Sequence, residues 1–137
     1  MSTANPAGYS GKPLLQKLGF KPGFRVAVSG APENYTALMA GAGGVDFDRQ
    51  GAAAAYDAAH VFLTAAGSEQ QAAAQAIAVL RPGGMLWLSW AKKSSRLHSG
   101  ITEDSLRAAV LPLGWVDVKV CAVDADWSGL KFLRRRG

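Results

Sequence analysis

Cysteine occurs once, at Cys121, and histidine twice, at His60 and His98, in a chain of 137 residues. One thiol excludes an internal disulfide framework. Three such side chains leave no metal site built from cysteine and histidine to expect. Charged residues make up only 18% and apolar ones 49%, which argues for a packed globular domain rather than a disordered chain. Long apolar runs are absent too. The charge-free stretch from Gln70 to Leu80 is broken by glutamines and ends at Arg81, too short for a membrane span. Met1 to Ser10 has no basic segment followed by an apolar one, so no secretory leader is expected. A lone cysteine suits a reducing compartment, and the expected location is the cytoplasm, with no membrane partner. The sequence has no Gly-x-Ser-x-Gly elbow, phosphate-binding Walker loop or paired-histidine motif.

What is present is a modest basic excess, 15 Lys and Arg against 10 Asp and Glu, for a net charge of +5. It gathers late in the chain, at Lys92, Lys93, Arg96 and the closing Arg134, Arg135 and Arg136. A basic late half suits an anionic partner. Nucleic acid is not the expected one, because no recognition motif accompanies the charge.

Strand and helix patterns alternate. Residues 1–11, rich in Ser, Thr, Asn, Pro and Gly, read as a loose arm, and residues 12–137 as one domain. Pro13 opens a short helix carrying Leu14, Leu15 and Leu18, stopped by Gly19. Phe24 to Val28 reads as a strand, Pro32 to Ala40 as a helix and Val45 to Phe47 as a short strand. The Ala-rich segment from Arg49 to Ala59 fits helix or loop.

A strand from Ala59 to Thr64 follows. Ser68 and Gln71 have the spacing of a capping box, and Ala73, Ala76, Ile77 and Leu80 form a helical stripe. Met85 to Trp90 is a second apolar strand, so this stretch has the size of a βαβ unit with buried parallel strands. Thr102 caps a helix whose first turn holds Glu103 and Asp104. Val116, Val118 and Val120 alternate with Asp117 and Lys119 as a half-exposed strand. A turn at Asp124–Asp126 leads to a last strand from Gly129 to Leu133, giving an antiparallel hairpin.

This pattern defines an α/β domain of three layers with a mostly parallel sheet. In such sheets ligands bind beyond the carboxyl ends of the strands, at a topological switch point. That rule selects Ser29 and Gly30, Thr64, and the run Ser89, Trp90, Lys92, Lys93, Ser94 and Ser95. The two ammonium groups and the hydroxyls would hold a small anion, with Arg96 adding to the field. The alternative is a solvated loop after an apolar strand. Trp90 either walls the crevice or packs in the core. His60 lies inside an apolar strand and reads as a satisfied core histidine rather than a base. Cys121 reads as a packed thiol.

Two segments resemble class I S-adenosylmethionine-dependent methyltransferases. Leu18-Gly19-Phe20-Lys21-Pro22-Gly23-Phe24-Arg25-Val26-Ala27-Val28 is similar to the entry to their first strand. Leu80-Arg81-Pro82-Gly83-Gly84-Met85-Leu86 is similar to the turn before their fifth. The chain as a whole resembles the bacterial domain of unknown function 3052 family. That resemblance rests on Gly8-Tyr9-Ser10-Gly11, on Ser89 to Ser95 and on Val120 to Phe132. It implies no activity.

The methyltransferase resemblance implies a glycine-rich turn after the first strand and an acidic residue after the second. Here Gly30 stands alone, followed by Pro32, and Asp46 or Asp48 would supply the acid. About thirty residues separate the strand at Phe24 from that at Ala59, where such enzymes fit two strands, so the sheet is expected to be one strand short.

The resulting expectation is a Rossmann-like, methyltransferase-like domain that binds a small anionic or nucleotide-like ligand without methyl transfer and without a cofactor. One alternative is an active enzyme using S-adenosylmethionine. The other is a protein-interaction module using the hairpin, with Trp127, Lys131 and Arg134 as its face.

Overall fold

A computed structural model describes residues 14–39, 43–49 and 55–136. The loose arm assigned to residues 1–11, Pro13, and part of the Ala-rich segment lie outside the described residues. In chain order the elements are α1 (Leu14–Leu18), β1 (Arg25–Ser29), α2 (Tyr35–Leu38), β2 (Asp46–Arg49) and β3 (Tyr56–Leu63). They continue with α3 (Glu69–Val79), β4 (Leu80–Ala91), α4 (Glu103–Val110), β5 (Trp115–Ala122) and β6 (Trp127–Arg134).

The described strands form one six-stranded sheet in the order β2-β1-β3-β4-β6-β5. β1, β2, β3 and β4 run parallel, whereas β6 is antiparallel to both β4 and β5. The expected antiparallel ending is therefore present, and its strands sit at the sheet edge beyond β4. The order of β2, β1 and β3 places the switch point at β1: the chain leaves β1 to one side and returns to the other.

Period-two alternation divides the side chains between two faces. On one face α3 and α4 cover Ala59, Val61, Leu63, Leu86, Leu88, Leu130 and Phe132. On the other, α1 and α2 cover Val26, Ala58, Phe62, Trp87 and Trp127. Trp87 is fully buried and donates its indole N–H to the Leu18 carbonyl at 2.9 Å. Gly129 makes room for it: a Cβ there would lie 3.2 Å from the indole ring.

Local expectations fared unevenly. Thr102 caps α4 through Ser105, whose N–H it accepts and whose hydroxyl accepts the Thr102 N–H. Ser68 makes no such box. Its hydroxyl donates back to the Ala65 carbonyl at 2.6 Å, and Glu69 accepts the Gly67 N–H. The tight turn between β3 and α3 takes both side chains before the helix can. The helix expected from Pro32 shortens to the single turn of α2, because Pro32 to Asn34 form a turn closed by the Tyr35 N–H on the Pro32 carbonyl. β4 begins at Leu80, earlier than expected. It takes in the Pro82-Gly83-Gly84 turn as an irregularity in its pairing with β3.

Candidate functional site

A cleft of about 770 Å³ opens at the carboxyl ends of β1 and β2, where the switch point lies. Ser29, Gly30, Ala31, Pro32 and Glu33 form one wall; Tyr35 and Thr36 of α2, with Val28, Phe47 and Asp48, complete it. A smaller apolar annex of about 200 Å³ continues past Tyr35 and Phe47 toward Met39 and Val45.

Gly30 is required by this geometry. Its φ is +69°, and a Cβ would lie 2.5 Å from the Phe62 carbonyl oxygen of β3. Glycine here lets the loop after β1 cross close to the neighbouring strand. Asp48 sits at the carboxyl end of β2. Its Oδ2 accepts from the Arg25 guanidinium at 3.0 Å, and the Tyr56 hydroxyl lies 3.5 Å from the same oxygen. The Arg25 guanidinium also lies over the Tyr56 ring, 4.8 Å from its centre. The described lining contains two carboxylates, Glu33 and Asp48, and no lysine or arginine.

Beneath the cleft runs a buried polar chain that sequence reading did not assemble. The Tyr35 hydroxyl meets His60 Nδ1 at 2.9 Å, and His60 Nε2 meets Ser89 Oγ at 3.0 Å. A neutral imidazole offers one N–H and one lone pair, which matches a hydroxyl at either end. Complete burial pushes the His60 pKa down to about 3, and burial likewise raises that of Tyr35. The signal was a polar residue inside each of two neighbouring apolar strands, His60 and Ser89, which share a face and are offset by two residues in the register. Its partner Tyr35 comes from a distant helix.

The segments chosen from sequence end neighbouring strands but do not all line this cleft. Ser29 and Gly30 line the cleft, and Thr64 is exposed beyond the end of β3. Ser89 is fully buried, so it faces His60 instead of a crevice. Trp90 is 7% exposed and packs in the core beneath α3 and α4; it is not a wall. Lys92 donates through Nζ to the Asp124 carbonyl at 2.7 Å, and Ser95 Oγ donates to Asp126 at 2.8 Å. These two fasten the loop after β4 to the hairpin turn, while Lys93 and Ser94 are exposed.

The residues expected to form the hairpin face differ in exposure. Trp127 is 5% exposed and stands edge-on to Phe62, 5.1 Å between ring centres. Arg134 is exposed, and Lys131 is half-buried. What β5 does expose is Val118 and Val120. Burial raises the Cys121 thiol pKa, in keeping with a packed group. Among the described residues no three metal-binding side chains converge, and no helix is long and apolar enough to cross a membrane.

The sheet order and the hairpin define a Rossmann-like, methyltransferase-like fold. Solved structures agree on that fold. The chain is similar to a SAM-dependent methyltransferase from Aquifex aeolicus, with TM-score 0.60, 13% identity, and 88% of this chain and 87% of that one covered. An S-adenosylmethionine-dependent methyltransferase from Mesorhizobium loti has TM-score 0.58 and 12% identity, covering 88% of this chain and 95% of that one. The N-methyltransferase NodS from Bradyrhizobium japonicum has TM-score 0.55 and 14% identity, covering 90% and 93%. No family model and no curated protein matches the chain.

Proposed function

We propose that this domain binds S-adenosylmethionine, or its demethylated product, in the cleft beyond β1 and β2. The observation that carries this reading is the cleft's lining: the carboxylates of Glu33 and Asp48 and the hydroxyls of Ser29 and Thr36, with no lysine or arginine among the described lining residues and Arg25 paired to Asp48 from outside it. Arg25 offsets the charge of Asp48, so Glu33 sets the sign of the cleft; a multiply charged anion is disfavoured beside it, whereas a sulfonium and a ribose diol find complementary groups. The volume lies in the range of pockets that enclose ligands of this size.

The residues fit the ligand in distinct ways. Arg25 and Tyr56 use Oδ2 of Asp48, so a ribose hydroxyl would take Oδ1. Phe47 and Tyr35 supply an apolar wall for a base, and Glu33 supplies negative charge for a sulfonium. When bound, this ligand supplies an activated methyl group. The function proposed is binding, and no residue is assigned to methyl transfer. The earlier expectation of an anionic ligand at Lys92 and Ser95 is less well supported, because both side chains hold the hairpin turn. The family of unknown function that the chain resembles is compatible with this reading and adds no activity to it.

The test is calorimetric titration and thermal unfolding with S-adenosylmethionine, S-adenosylhomocysteine and ATP. A ligand at a hundredfold excess over Kd adds about 2.7 kcal/mol, roughly 10 °C in a domain of this length. Both adenosyl compounds should shift the transition, and Asp48→Asn should weaken them about tenfold. A shift with ATP alone, unaffected by Asp48→Asn, would overturn the proposal.

A further inference from the structure

Lys119 of β5 and Lys131 of β6 are directly opposite each other in the hairpin register. Like charges in that position destabilise a sheet. An edge strand such as β5 commonly carries a lysine to discourage pairing with another chain, which accounts for Lys119. It does not account for Lys131. That residue lies on an inner strand, flanked by β4 and β5, and is half-buried.

A third cation stands nearby. A Cβ added to Gly19 would lie 3.9 Å from the Lys131 ammonium, so this ammonium borders the turn that carries Lys21. Lys119 is held in place by donating to the Lys17 carbonyl at 2.9 Å, and Lys17 in turn donates to the Ala122 carbonyl at 3.1 Å. The ion pairs of Arg25 with Asp48, Arg81 with Asp57, and Arg107 with Glu103, Asp104 and Asp117 bring no carboxylate to Lys21, Lys119 or Lys131. Burial, then the charges of Lys119 and Lys21, lower the pKa of Lys131.

We infer that Lys21, Lys119 and Lys131 form an anion site that takes a phosphate group. A dianion set among three ammonium groups turns their mutual repulsion into attraction and supplies the counter-charge the fold withholds. Lys21 precedes β1, so the site lies toward the amino end of that strand, away from the cleft beyond its carboxyl end. It is independent of the adenosyl ligand.

The experiment compares wild type, Lys131→Met and Arg136→Gln. Pyrophosphate and a single-stranded RNA 12-mer are the probes, with thermal unfolding and calorimetry as readouts. Without probe, Lys131→Met should be at least as stable as wild type, because a like-charge contact is gone. With probe, wild type should gain stability in a salt-sensitive manner. Lys131→Met should bind at least tenfold more weakly, and Arg136→Gln, in the exposed tail, should bind as wild type does. Binding of pyrophosphate identifies a free phosphate compound; binding of the RNA alone identifies phosphates in a polymer backbone. Either supports the site when Lys131→Met abolishes it. Failure of both probes, or binding that Lys131→Met leaves intact, overturns it. The Lys131 Cε resonance gives a second readout: its titration midpoint should rise when pyrophosphate binds.

Discussion

The two faces of the sheet are built differently. Under α3 and α4 the core is mostly aliphatic, and the helices are regular, eleven and eight residues long. Under α1 and α2 the covering helices have five and four residues, and the core is rich in rings. Tyr35, Phe20, Phe47, Phe62, His60 and Trp127 meet edge-on or tilted. The cleft lies on this second side, and so do the buried polar chain and Trp87. Long capped helices can seal a face with apolar contact alone. Short helices leave backbone and crevices to be managed, so this face uses hydrogen bonds and rings, and it keeps room for a ligand.

The comparison breaks most visibly at Trp87. Trp87→Ala should cost about 3–5 kcal/mol, measured by urea denaturation. Leu106→Ala on the buried side of α4 should cost a comparable ~2–5 kcal/mol. Gentler changes separate the faces. Leu106→Met should cost less than about 1.5 kcal/mol. Trp87→Phe leaves the Leu18 carbonyl without its donor and should cost about 1–3 kcal/mol beyond lost volume.

Acid should strike the aromatic face first. The His60 pKa falls from the ordinary 6.5 to about 3 on folding, so between those values the unfolded chain binds a proton that the folded one does not. Stability is complete above pH 6.5 and is lost as pH falls. The slope reaches about 1.4 kcal/mol per unit, or about 2 kcal/mol between pH 7.5 and pH 5. His60→Gln should flatten this dependence above pH 4. An unchanged slope would show that His60 is not its source. The Asp57 and Asp117 carboxyls act lower. Burial opposes ionisation of Asp57, but the Arg25 N–H and Arg81 prevail; Arg107 lowers Asp117 against a smaller burial effect.

Gly30→Ala tests the join between cleft and core. The left-handed backbone alone costs about 1–2 kcal/mol, and the contact with the Phe62 carbonyl adds to it. Adenosyl binding should weaken in the same variant. The smallest effect belongs to the aliphatic face. Thr102→Ala removes the α4 cap at a cost of about 1 kcal/mol, with ligand binding unchanged.

Much of the architecture was legible from residue pattern. Val26 and Val28, Val61 to Leu63 and Leu86 to Leu88 are too apolar for an exposed strand. The spacing between them fits a crossover helix, which forces parallel pairing. The cap at Thr102 and the hairpin were equally local, and local chemistry can be read without coordinates. Ser68 shows the limit: its box spacing was right, but the preceding turn claimed the hydroxyl. The candidate site was less legible. Ser29 and Gly30 were found because strand ends define the crevice in this class of sheet. Ser89, Trp90 and Trp127 are buried, which the sequence left open because alternation states that two faces exist, not which one a helix covers.

Sequence by itself determined the α/β class, the parallel core strands and the closing hairpin, since periodicity and turn residues act within a few positions. Tertiary structure alone decided what those elements bring together. His60 meets Tyr35 and Ser89 across 25 and 29 residues of chain. Lys119 meets Lys131 only through the hairpin register. Lys92 and Ser95 are taken by a turn about thirty residues away. Such contacts depend on sheet order and facing, and no local pattern carries that information.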